Sequence, residues 1–117
     1  MATQVKVSSS NAHNLTVLAA SCNVNDILKT ISPRWKMQIL SKILSGTNQF
    51  SRLKDLFPTL SDQILGKRLA ELVKDELVIK KQIPGTVPLQ TSYITTKKGI
   101  ALMEIMDQLQ KWGEKEW

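Results

Sequence analysis

Residues 51–76 read SRLKDLFPTLSDQILGKRLAELVKDE, and the punctuation inside this stretch decides the fold. Ser51 can cap a short helix over Arg52 to Phe57, Pro58 forbids its continuation, and Thr59-Leu60 forms a turn. Ser61 then caps a second helix running to about Glu76, with Asp62 in its first turn, where the helix dipole favours an acid. On a wheel of about 100° per residue, Leu65, Leu69 and Leu72 cluster on one side and must face a core. Gln63, Lys67, Ala70 and Lys74 then fall nearly opposite, with Gly66 on the flank.

Upstream, Asn23 can cap a first core helix whose Val24, Ile27, Leu28 and Ile31 recur at the helical period. Ser32-Pro33 reads as a cap followed by proline at the first helical position, and the helix it opens carries Trp35, Ile39, Leu40, Ile43 and Leu44 before Gly46 ends it. Phe50 begins a very short strand or extended link. Met1 to Ser10 has no periodicity and reads as an arm, with a short helix over Asn11 to Ser21; residues 1–21 are thus an N-terminal arm and 22–117 the domain proper.

Downstream the pattern turns β-branched. Val78 to Ile83, a Pro84-Gly85 turn with an irregular tip to Gln90, and Thr91 to Thr95 form a β-hairpin. Thr96 caps a long last helix from about Lys97 to Glu116. The order helix, helix, short strand, helix, helix, hairpin, helix is an α+β, mainly helical, winged helix-turn-helix with added N- and C-terminal dimerisation helices.

The outward face of the Ser61 helix has the chemistry of a DNA-reading surface. Gln63 can make paired hydrogen bonds to adenine, Lys67 can donate to guanine or a phosphate, and Gly66 lets the backbone approach closely. Ser61 and the N–H groups of the helix start can anchor a phosphate, and Arg68, between the two faces, reaches backbone phosphate rather than a base edge. Lys80 and Lys81 leave the helix-to-hairpin junction beside that backbone. The plainer readings are a solvated polar face and lysines guarding an edge strand. Sixteen Lys and Arg against ten Asp and Glu, a formal charge of +6 in 117 residues, favour a polyanionic partner.

In the final helix Ile100, Met103, Met106, Leu109 and Trp112, with their apolar neighbours, spread over most of the wheel, more than one core demands. A second copy of the chain would use the excess, and two-fold pairing implies a palindromic site. Met103 and Met106 could instead line a small-molecule pocket, though methionine at this spacing is more often core.

Other function classes fare poorly. With one histidine and no glycine-rich phosphate loop, the chain offers no nucleophile or general base, so it is not an enzyme. His13 and Cys22 alone cannot build a zinc site, and no other metal or cofactor is indicated. Single cysteine usage fits a reducing cytoplasm. The run Leu18-Ala19-Ala20-Ser21-Cys22 resembles a lipoprotein cleavage box, but the charged-then-apolar order of a signal peptide is missing. No apolar stretch approaches the roughly 20 residues of a membrane helix. The rival from another class is a winged helix used as a protein-interaction module.

These residues resemble the HxlR family of winged helix regulators from Cys22 to the C-terminus. The resemblance runs through Cys22-x-Val24, Ile31-x-x-Arg34-Trp35-Lys36 with Ile39-Leu40, Gly46, and Phe50-Ser51-x-Leu53. It continues through Leu60-Ser61 with Leu65, Leu69 and Leu72, then Leu77-Val78, Pro88 and Tyr93-x-x-Thr96-x-x-Gly99. It implies a double-stranded-DNA-binding homodimer that pairs through its terminal helices on inverted-repeat operators and, in some members, responds to aldehydes, quinones or oxidants. Departures are Asn23 where the family has proline, Ser32-Pro33 where it has a glycine pair, and Pro88-Leu89-Gln90 where the wing usually carries two prolines and an arginine. Cys22 stands where some members carry a redox or electrophile sensor. A thiol just ahead of a helix gains acidity from the dipole, whereas a partly buried one packs as a small hydrophobe; both readings stand.

Overall fold

The structure, a computed structural model, describes residues 23–85 and 90–117. Cys22, the arm at 1–21 and the wing tip with Pro88 and Leu89 lie outside the described residues. The chain divides into two units, Met1–Pro33 and Arg34–Trp117.

In the first unit residues 23–31 form helix α1. Asn23 is itself helical rather than a flanking cap, and the Thr30 hydroxyl donates back to the Asp26 carbonyl at 3.0 Å. Val24, Ile27 and Leu28 are exposed, which differs from the expectation of a core helix.

The second unit holds α2 (Lys36–Leu44), α3 (Phe50–Leu56), α4 (Asp62–Lys74), β1 (Val78–Ile83), β2 (Gln90–Thr95) and α5 (Lys97–Glu116). Its core is a cluster of Ile39, Leu40 and Ile43 from α2, Leu53 from α3, Leu65, Leu69 and Leu72 from α4, with Phe57, Leu77, Val78 and Tyr93. The leucines of α4 recur three and four residues apart, so one side of a 13-residue helix disappears into this cluster.

The start of α2 differs from its sequence reading. Ser32 and Pro33 lie outside the helix, which begins at Lys36 behind Trp35; Trp35 takes a left-handed φ of 74° and makes no side-chain cap. Such a conformation costs roughly 1–2 kcal/mol for a residue with a Cβ. Packing offsets it: the Trp35 ring meets Phe57 edge-on at 6.0 Å, Arg34 lies 5.0 Å over the same ring, and Arg68 Nε donates to the Arg34 carbonyl at 2.8 Å. Tertiary contacts therefore override the local serine-proline signal. At its other end α2 closes as expected, with Gly46 at φ 113° and the amides of Gly46 and Thr47 donating back to Ile43 and Lys42.

The short extended link is Gln49, which bridges to Ser92 of β2, while Asn48 accepts from the Tyr93 amide at 2.8 Å. Helix α3 starts at once afterwards, so Phe50 and Ser51 are helical and Gln49 rather than Ser51 is the flanking residue. The hairpin is antiparallel, with Ile79 opposite Ile94, Lys80 opposite Tyr93 and Lys81 opposite Ser92.

Thr96 knots three elements together. Its hydroxyl accepts from the Gly99 amide at 3.1 Å, capping α5, and lies 2.7 Å from the Glu76 carbonyl at the end of α4. Gly99 sits so close to this junction that a Cβ there would collide with the Leu77 carbonyl and come within 2.7 Å of Thr95 Cγ2.

Candidate nucleic-acid interface

Helix α4 begins on a well-made cap. Ser61 is extended and its hydroxyl accepts from the Ile64 amide at 3.1 Å, which satisfies one of the donors that a helix start leaves open. The other first-turn amides have no partner within the helix, the arrangement that lets a helix start receive an anion. Beside them Lys54 of α3 pairs with Asp62 at 2.8 Å. The hydrogen bond and charge of Asp62 raise the Lys54 pKa, so Lys54 is firmly cationic at neutral pH. Lys54 was not singled out from sequence, because its closeness to the α4 start depends on how the two helices cross.

Along α4, Gln63, Lys67, Ala70 and Lys74 are all exposed on the side opposite the buried leucines. Nothing lies within 4 Å of where a Gly66 Cβ would be, so the fold does not need glycine there, and its absence of bulk is open to whatever approaches. Arg68 is placed differently from its expected reach to phosphate. Its guanidinium pairs with Glu71 at 3.0 Å and holds the Arg34 carbonyl, fixing the turn into α2.

Lys80 and Lys81, adjacent in sequence, are separated by the strand's alternation. Lys80 shares a face with buried Val78 and Tyr93 and lines a groove beside α4, together with Gly66, Ala70 and Phe50. Lys81 shares the opposite face with exposed Ile79 and Ile94.

The far end of α4 is held by charge. Lys36 is only 2% exposed, and its ammonium meets the Asp75 carboxylate at 2.6 Å, while Lys98 of α5 donates to the Asp75 carbonyl at 2.8 Å. Glu76 then turns left-handed at φ 62°, and Glu76 and Leu77 amides close on Val73 and Leu72. A buried lysine was not foreseen, since neither its burial nor its partner 39 residues away leaves a local mark.

The expected pairing residues of α5 fall into three groups. Ile105, Leu109 and Trp112 form one exposed stripe, at 60%, 50% and 53%. Met103 and Met106 are half-buried and face α2, lining a groove with Met37 and Lys42. Ile100 is exposed on another side, and Trp117 packs edge-on to Trp112 at 6.0 Å.

A helix pair joined by a tight turn, its second helix polar on the outward face, with a two-stranded hairpin packed alongside, defines a winged helix-turn-helix protein. Residues 30–117 match the HxlR-like helix-turn-helix family, and the chain belongs to it. It is 37% identical over 87 residues to the HTH-type transcriptional regulator YvaP of Bacillus subtilis, covering 74% of this chain and 79% of that one. The reduced form of the regulator YodB from B. subtilis superposes with a TM-score of 0.72 at 26% identity, over 80% of this chain and 91% of YodB. The redox regulator HypR in its reduced form gives 0.71 at 27% identity, over 80% and 91%. Family and relatives are transcriptional regulators, not enzymes. No helix among the described residues is long and apolar enough to cross a membrane.

Proposed function

We propose that this regulator binds double-stranded DNA sequence-specifically, as a homodimer on an inverted-repeat operator. The observation that carries the reading is the single exposed face of Gln63, Lys67, Ala70 and Lys74 on a helix whose other face is wholly buried. Placed in the major groove, α4 directs Gln63 toward an adenine and Lys67 toward a guanine or phosphate, with Gly66 admitting close approach. Ser61 and the first-turn amides take a phosphate, with Lys54 and Lys80 alongside. Lys81, on the other hairpin face, contributes charge rather than a contact shared with α4. Arg68 acts indirectly, by holding the turn into α2.

The exposed stripe of α5 supplies the surface for a second copy, with α1 offering another bare apolar face. Two-fold pairing then sets half-sites about 10 bp apart, or a multiple of it. In a cytoplasmic setting, Cys22 is the residue through which an oxidant or electrophile would act, a reading supported by the likeness to HypR, described as a redox regulator.

The test is fluorescence anisotropy against a duplex from the protein's own upstream region and a scrambled duplex, over a salt series. Preference for the native duplex with a steep salt slope, lost in the Gln63→Ala/Lys67→Ala double variant, is expected. If a genomic pool yields no preferred site and binding is insensitive to salt, the chain is instead a protein-interaction module.

A further inference from the structure

We propose that Asp62 is a specificity-determining residue of the reading surface, its carboxylate accepting a hydrogen bond from the amino group of a cytosine in each operator half-site. This role rests on the proposed DNA binding and deepens it by naming a base. Asp62 opens α4 and stands directly before Gln63. When such a helix lies in the major groove, its N-terminal residues are the ones that meet base edges. The side chain is 61% exposed, and Asp62 is the only acid among residues 62–68. Its carboxylate is tethered across the turn, with Lys54 Nζ of α3 at 2.8 Å from one oxygen and 3.1 Å from the other.

A pair this exposed contributes little to stability, so its larger effect is on position and charge. A lone carboxylate at this helix start would repel the phosphates flanking the groove, and Lys54 offsets that charge. An ammonium carries more donors than one carboxylate uses, so Lys54 can hold Asp62 and a phosphate together. The helix dipole accounts for an acid in the first turn, but it places no lysine of the preceding helix against that acid. The chemistry then selects the base. An ionised carboxylate only accepts, and the major-groove edges of guanine and thymine offer it acceptors in return. Adenine sets its N7 acceptor beside its amino group, whereas cytosine presents the amino donor alone. Gln63 for adenine, Lys67 for guanine and Asp62 for cytosine give the first half of α4 distinct preferences.

The test is selection from a randomised duplex pool by the full chain and by its Asp62→Asn variant, followed by anisotropy on the selected operator. A cytosine preference at one position of each half-site is expected for the parent chain. Asp62→Asn should lose that preference and keep those at the other positions, which also shows that the variant folds. Changing this cytosine to thymine should weaken the parent chain about tenfold and Asp62→Asn less than about twofold. With one acidic charge removed, the variant should also bind a scrambled duplex several-fold more tightly. An Asp62→Asn variant that selects the same bases as the parent chain overturns the role of Asp62 and leaves DNA binding intact. A parent chain that selects no motif removes sequence-specific DNA binding, and this role with it.

Discussion

Helices α4 and α5 are both amphipathic, but only α4 completes its burial inside the chain. Its three leucines are sealed in the core and its remaining surface is mostly polar or small, with Ile64 the large apolar side chain left exposed on it. Helix α5 buries Gly99, half-buries Leu102, Met103 and Met106, and leaves Ile105, Leu109 and Trp112 open to solvent. An apolar stripe at helical spacing is costly to leave wet, at about 25 cal/mol per Å². One helix is thus finished by its own fold, and the other keeps an apolar stripe that the described residues leave exposed.

The sharpest way to break that contrast is to truncate one leucine from each helix. Leu69→Ala should lower unfolding free energy by about 2–5 kcal/mol through transfer and cavity terms, read from denaturant midpoints. Leu109→Ala should scarcely change the midpoint of the dissociated chain yet shift a sedimentation equilibrium toward monomer. If the two variants lose stability equally at low protein concentration, α5 is not waiting for a partner.

The charged end of α4 gives the next effect. Asp75→Ala takes the carboxylate away from the buried Lys36 ammonium and should cost about 3–5 kcal/mol, whereas Lys36→Met removes the buried charge itself and should be near neutral or stabilising. The order of the two melting temperatures is the measurement. A loss in Lys36→Met as large as that in Asp75→Ala would mean that the pair stabilises α4 beyond satisfying its own charges.

The smallest effect probes the outward face. Gly66→Ala replaces the poorest helix former short of proline where space is open, and should raise stability by about 0.5–1 kcal/mol in thermal melts. The same change should weaken operator binding if the duplex comes close to that backbone. Stability gained with affinity kept would show that Gly66 serves no contact.

Much of this architecture was legible in the residues. Ser61 and Thr96 announce their helices because a side-chain cap is a local interaction, and both hydroxyls make the expected bond. The leucine spacing of α4 fixed which face would be polar. What stayed hidden depended on partners distant in sequence. Trp35 becomes the flanking residue of α2 through Phe57 and Arg68, and α3 starts early because Gln49 is held extended by Ser92. Arg68 reads as a phosphate ligand until Glu71 and the Arg34 carbonyl are seen to hold it. Lys80 and Lys81 read as a pair, although a strand turns neighbours to opposite faces. The α1 stripe reads as core because periodicity reports that a face is apolar, and is silent on what covers it.

The bonds from Thr96 and Lys98 to Glu76, Leu77 and Asp75 fasten the root of α5 to the tail of α4. Twenty residues of helix extend from that root, a rod of about 30 Å. Such a rod, clamped at one end, is a lever with its fulcrum at the α4 tail. A tilt imposed near Trp112 either turns α4 with it or breaks the clamp, so a push at the far tip of α5 is felt as torque on α4.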